Sequence, residues 1–141
     1  MTVYTLQDAI EQVQVIMTAV TGIRSAPELP PEQINQFPFA VAFPGEGEFT
    51  IEMGALMDGI HSIILELHIA RKDLPRDVDK AGAYVDSIPK ALWSNPTLNG
   101  RIRWFKRISY KFGPLGWGNM DTLGIRFTIH EVEIATGYTP A

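Results

Sequence analysis

Three histidines, His61, His68 and His130, are the side chains best suited to proton transfer or metal ligation in this sequence. A metal centre needs several of them to converge with carboxylates. His61 and His68 stand seven apart in an alternating segment, and an odd separation sends strand side chains to opposite faces. His68 sits two residues from Glu66 and meets His130 only if their strands pair, so Glu66, His68 and His130 form the one metal or ligand constellation on offer. A solvated or interfacial sheet face explains the same residues. Nucleophilic chemistry has less support. Ser25, Ser62, Ser87, Ser94 and Ser109 include none in a Gly-x-Ser-x-Gly elbow, and the absence of cysteine excludes a thiol nucleophile, thiolate ligands and disulfides. The acid pairs Glu46/Glu48 and Asp77/Asp79 fall at turns or helix starts, where carboxylates stay solvated or favour the helix dipole. Gly113, Gly116 and Gly118 lack the Lys-Ser/Thr of a phosphate loop. The expectation is a chain without catalytic residues, bound metal or cofactor.

Residues suited to contact are better represented. Arg101, Arg103, Lys106, Arg107 and Lys111 place five of the twelve basic residues within eleven positions, interleaved with Trp104 and Phe105. That composition suits a nucleic-acid strip, a salt-bridging subunit face, or an edge strand guarded against uncontrolled pairing. Alternation puts Arg101, Arg103, Arg107 and Lys111 on one face and Lys106 on the other. Leu115 and Trp117 lie in a glycine-rich stretch, where Trp117 either anchors an interface or folds back on its own domain. In the first amphipathic segment, Val15 and Ile16 widen the apolar stripe beyond one packing face. Val15, Ile16, Arg103, Arg107, Lys111, Leu115 and Trp117 are therefore the candidate subunit-interface residues.

These residues need elements to hold them. Leu6, Ile10, Val13, Met17 and Val20 recur at helical spacing, with Thr5 and Asp8 at the start and Gly22 at the stop. Residues 23–36, with Pro27, Pro30 and Pro31, read as an extended connector. Phe37 to Phe43 and Glu48 to Ala55 predict a hairpin turning at Pro44-Gly45-Glu46-Gly47. Ile63, Leu65, Leu67 and Ile69 share one face of a third strand. A second helix runs from Leu74 to Trp93, with a kink or break expected at Pro89. Two further strands, Arg101 to Lys111 and Thr122 to Ile134, flank a glycine-rich loop at 112–121, and 135–141 reads as a loose tail. This order predicts an α+β fold: a single antiparallel or mixed sheet of about five strands with two main helices on one face.

The chain has 141 residues and fits one domain, 1–141; its 45% hydrophobic and 20% charged content is that of a chain with a packed core. A net charge of −4 gives no global attraction for phosphate backbones. The opening Met1-Thr2-Val3-Tyr4 lacks the look of a signal peptide and no apolar run approaches the roughly 20 residues of a membrane span, so neither secretion nor a membrane is expected.

Phe37-Pro38-Phe39-Ala40-Val41 with Pro44-Gly45-Glu46-Gly47, then Leu65 through Asp77, then Phe112-Gly113-Pro114-Leu115-Gly116-Trp117-Gly118 before a last strand, resemble the small tail-terminator or tail-completion proteins of long-tailed bacteriophages. The likeness runs from about Leu6 to Glu133. It implies an α+β virion protein, made in the host bacterial cytoplasm, that assembles as a homohexameric ring. Such a ring caps the tail tube, stops polymerisation of the major tail tube protein and presents a surface to head-tail connector or neck proteins. DNA passes through without specific binding, and no catalytic or cofactor residue is implied. Another neck component, such as a head-completion or connector adaptor protein, is the alternative; a small metal- or ligand-binding domain stands behind both. In a ring the Arg101 to Lys111 face is expected at a protein contact, so reversing Arg103 and Arg107 is expected to disrupt assembly.

Overall fold

A computed structural model of the chain describes residues 5–27, 36–50, 58–69, 74–118 and 120–135. Helix α1 (Leu6–Thr18) starts where the sequence signals it: the Asp8 amide donates to Thr5 Oγ1 at 3.2 Å, and the Thr5 amide donates to the Asp8 carboxylate at 2.8 Å. This reciprocal cap contributes about 1 kcal/mol. Gly22, at φ +96°, takes the chain out of the helix in a conformation that favours glycine. Ala9, Ile10, Val13, Ile16 and Met17 form the buried stripe. Gln14 is buried among them because its amide donates to the carbonyls of Pro27 (2.6 Å) and Ala40 (3.0 Å), tying the helix to the outgoing chain and to the sheet.

The sheet is antiparallel and four-stranded, formed by β1 (Phe39–Thr50), β2 (Asp58–Ile69), β3 (Arg107–Trp117) and β4 (Met120–Ala135) in the order β1-β2-β4-β3. Between β2 and β3 in sequence lies α2 (Leu74–Trp93). Both helices cover the same sheet face: α1 packs on β1, α2 on β4, and the two helices on each other. Ile63, Leu65, Leu67 and Ile69 of β2 pair with Ile129, Phe127, Ile125 and Leu123 of β4 on that face. They meet Ile88 and Leu92 of α2, together with Leu98, Ile102 and Phe105 from the segment that follows it.

The α+β layer arrangement is as read, with four strands in place of about five. The predicted hairpin is one strand. Pro44-Gly45-Glu46-Gly47 forms a register shift within β1, not a turn, and Ser62 on β2 holds it by accepting the Glu46 amide (2.8 Å) and donating to the Glu46 carbonyl (3.3 Å). β1 is an edge strand, where a proline costs no ladder bond on its open side. Residues 51–55 of the predicted second strand lie outside the described residues, as do 28–35 of the predicted connector and 136–141 of the predicted tail; Ala135 itself ends β4. In the described part of the connector, Ser25 makes a parallel bridge to Phe39 and so caps the start of the β1 edge.

Three more expectations change. Of the kink or break expected at Pro89, the break does not occur: α2 is continuous there, with Ile88 and Leu92 on either side fully buried. The strand predicted at Arg101 begins at Arg107; residues 97–103 turn, and Trp104 makes a single bridge to Glu133. Most of the predicted glycine-rich loop at 112–121 is instead strand, since β3 runs to Trp117 and β4 starts at Met120. A Cβ on Gly124, opposite Gly113, would collide with the Leu67 carbonyl oxygen and crowd Leu115 Cδ1.

Substituting Gly124→Ala is expected to lower stability by about 1–3 kcal/mol, whereas Gly82→Ala, in the body of α2 with open space around its Cα, is expected to raise it by about 0.5–1 kcal/mol. Thermal melts of the two variants give opposite shifts.

Candidate functional site

The sheet face opposite the helices gathers the polar residues with chemical potential. Pairing places Glu66, His68, Thr122 and Arg126 there, and the four form a network. Glu66 Oε1 meets His68 Nε2 at 3.0 Å, Glu66 Oε2 accepts from Arg126 Nε at 2.7 Å, and His68 Nδ1 meets Thr122 Oγ1 at 2.5 Å. His68, Glu66 and Thr122 are buried, while the Arg126 side chain is half exposed. Burial pushes the Glu66 carboxyl up, but hydrogen bonds and charge from His68 and Arg126 outweigh it and leave the group below its ordinary value. Both ring nitrogens of His68 and both oxygens of Glu66 are engaged within the network. Its chemistry is that of a satisfied buried cluster.

Trp117 closes the network over. Its ring stands 5.9 Å from His68 and 6.3 Å from both Phe39 and Phe43, so the far end of β3 curls across the outer face to reach β1. Phe39 and Val41 are buried beneath it. Of the two alternatives for Trp117, the molecule takes the inward one: the residue does not project as a loop anchor, and Leu115 beside it is half-buried.

His130 does not join His68. It pairs across from Arg107, and its Nε2 lies 2.7 Å from Ser109 Oγ. Near it is an open cleft of about 520 Å³ lined by Gly45, Glu46, His61, Ser62, His130 and Glu131, among others. Two irregularities meet there: the β1 shift at Pro44–Gly47 and a second between β2 and β4 at His61–Ile63, where Glu131 adopts φ +56°. His61 is buried against Phe49 at 5.0 Å, and burial pushes its pKa down. Among the described residues no group of three or more His, Asp and Glu side chains is placed to hold a metal ion.

The remaining contact candidates divide. Ile16 is buried in the core, and Val15 is exposed on the neighbouring stripe of α1. Arg107 and Lys111 are exposed on the outer face of β3, and neither makes an ion pair with a described residue. Arg103 is engaged within the chain: Nη1 bonds Glu133 at 2.9 Å and Nη2 lies 3.5 Å from Asp58. It therefore does not form one face with Arg107 and Lys111 as alternation suggested, because the chain turns before Trp104. Two residues that sequence reasoning passed over stand out instead. Tyr110 and Phe112 lie on the helix-side face of β3, opposite Phe127 and Ile125, yet are 57% and 38% exposed. Their parity with Ile108 was the available signal. Among the described residues no helix packs over β3, so that parity leads to solvent.

Both His61 and Glu66 bind a proton less readily in the folded chain than in the unfolded one, so the unfolded state gains protons as pH falls and stability falls with it. The His61 share is expected to be lost as pH drops below its ordinary 6.5, and the Glu66 share below 4.5. Urea midpoints across pH 7 to about 4 test this, with His61→Gln removing the upper step. Glu66→Ala, which strands a wholly buried imidazole, is expected to cost about 3 kcal/mol at neutral pH. Compared with protein-family models and with curated proteins, the chain matches none.

Proposed function

We propose that the chain is a structural assembly subunit, and that it forms a ring capping the tail tube of a long-tailed bacteriophage, ending tube growth and offering a surface for head-tail joining. The observation that carries the assembly reading is the uncovered end of the core-side sheet face, where Tyr110 and Phe112 extend the apolar surface past the helix layer. Adjacent aromatics in such a position are typical of an interface core. The resemblance of Phe37–Val41, Leu65–Asp77 and Phe112–Gly118 to tail-terminator proteins supplies the setting and the number, six. The polar cluster supports the same reading from the other side, since Glu66 and His68 spend their hydrogen-bonding capacity on each other, Thr122 and Arg126. A net charge of −4 suits a lumen through which DNA slides.

Light scattering after size exclusion is expected to give a mass several times the 15.7 kDa of one chain, and electron microscopy a ring. Added to polymerising tube protein, the ring is expected to shorten the tubes. A chain that stays monomeric at high concentration and leaves tube length unchanged overturns the proposal. Because Arg103 is held by Glu133 and Asp58, the informative charge reversal is Arg107→Glu with Lys111→Glu, expected to weaken assembly while leaving the fold intact.

A further inference from the structure

Resting on the assembly reading above, we infer that the aromatic strip on β3 of one copy docks in the groove between α1 and α2 of the next, a head-to-tail contact between two different surfaces. The groove is about 450 Å³ in volume. Its α1 wall is Gln12, Val15, Ile16 and the C-cap Ala19, one stripe at helical spacing; its α2 wall is Ser87 and Ala91, with Ser94 just past the helix end. None of its lining residues is charged, and Val15 stands 46% exposed on the rim. Val15 and Ala19 are the part of the α1 apolar stripe that the protein's own core leaves uncovered, Ile16 between them being buried in that core.

The occupant is argued from charge. Residues 6–20 contain two carboxylates, Asp8 and Glu11, and no cation, so the only charges that α1 carries near the groove are acidic. The α2 side is mixed, with Asp86 and Lys90 close to the lining residues. Residues 101–120 contain five cations and no carboxylate, and along this edge strand Arg107 and Lys111 alternate with Tyr110 and Phe112, leaving from its opposite face. A neutral groove on an acidic helix thus meets an aromatic strip on a cationic edge strand. Each contact surface is apolar and the segments that carry them are opposite in charge, a complementarity that steers protein contacts. The two surfaces occur once each per chain, so the contact propagates and closes only as a ring.

Two single variants test the pairing: Val15→Arg blocks the groove and Tyr110→Arg blocks the strip. Both positions are exposed, and circular dichroism checks that each variant folds. Each alone is expected to be monomeric by light scattering. An equimolar mixture is expected to give dimers and nothing larger, since one intact groove meets one intact strip while the doubly altered contact sets arginine against arginine. Four results are decisive. A monomeric wild type overturns the assembly reading and this contact together. A wild-type ring with either variant assembling normally overturns the contact and leaves assembly standing. Monomeric variants whose mixture stays monomeric also overturn it, because the two surfaces then do not meet. Dimers in the mixture support it. Where Val15→Arg or Tyr110→Arg fails to fold, Ala19→Arg and Phe112→Arg carry the same test.

Discussion

Two helices packed side by side lie about 10 Å apart, about twice the 4.8 Å strand spacing, so a pair centred on the first and third strands of a sheet leaves the fourth at its margin. That limit governs this molecule. With α1 over β1 and α2 over β4, the strand order β1-β2-β4-β3 leaves β3 beyond the helix layer. Apolar residues on the core-side parity of β2 and β4 are fully buried, whereas the same parity on β3 gives a half-buried Ile108 and an exposed Tyr110. The surface available for assembly is therefore a consequence of topology. It needs no loop or separate motif to create it.

Among the described residues no helix covers the opposite sheet face, and the chain closes it by bending. Gly113 and Gly124 sit opposite each other on β3 and β4, and the lack of a side chain at Gly124 lets β4 approach the Leu67 carbonyl. Beyond them β3 curls until Trp117 lies on Phe39, Phe43 and His68. At the other end of the sheet, the register shifts of β1 and β4 both fall beside Ser62 of β2, so the two neighbours of one strand bend at a common level. Glu66 and His68 are buried between these bends, and burying a carboxylate is tolerable only with the hydrogen bonds that His68 and Arg126 provide. Polar satisfaction and sheet curvature thus depend on one another.

Much of this order could be read from the residues because it is local. The Thr5–Asp8 cap, the 3.6-residue period of α1 and the strict alternation of β2 each need only neighbours in sequence, and each is where the pattern put it. What failed to show was set by partners distant in sequence. Pro44-Gly45-Glu46-Gly47 has the composition of a turn, and only the Ser62 hydroxyl opposite makes it a bulge within a strand. Residues 112–117 look like a loop by glycine and proline content, yet each has a partner on β4. Of the site, the pairing of His68 with Glu66 follows from their i, i+2 spacing, but the roles of Thr122 and Arg126 depend on register across 54 and 60 residues. The exposure of Tyr110 and Phe112 depends on which strands the helices cover. No local pattern encodes that.

An exposed aromatic edge strand is ordinarily a hazard, because an open ladder invites uncontrolled pairing with other chains. In β3 the devices that suppress such pairing are the features that suit it to a specific contact. Arg107 and Lys111 repel a second copy of the same strand, and Pro114 interrupts the donors along the edge. The curl that carries Trp117 inward also removes the flat surface on which an extended ladder would grow. Strand-to-strand stacking is thereby disfavoured, while a partner that presents a neutral groove beside acidic residues is not. In the proposed contact the basic residues therefore need not be assigned either to edge protection or to assembly, since one arrangement of charge would exclude the wrong neighbour and admit the right one.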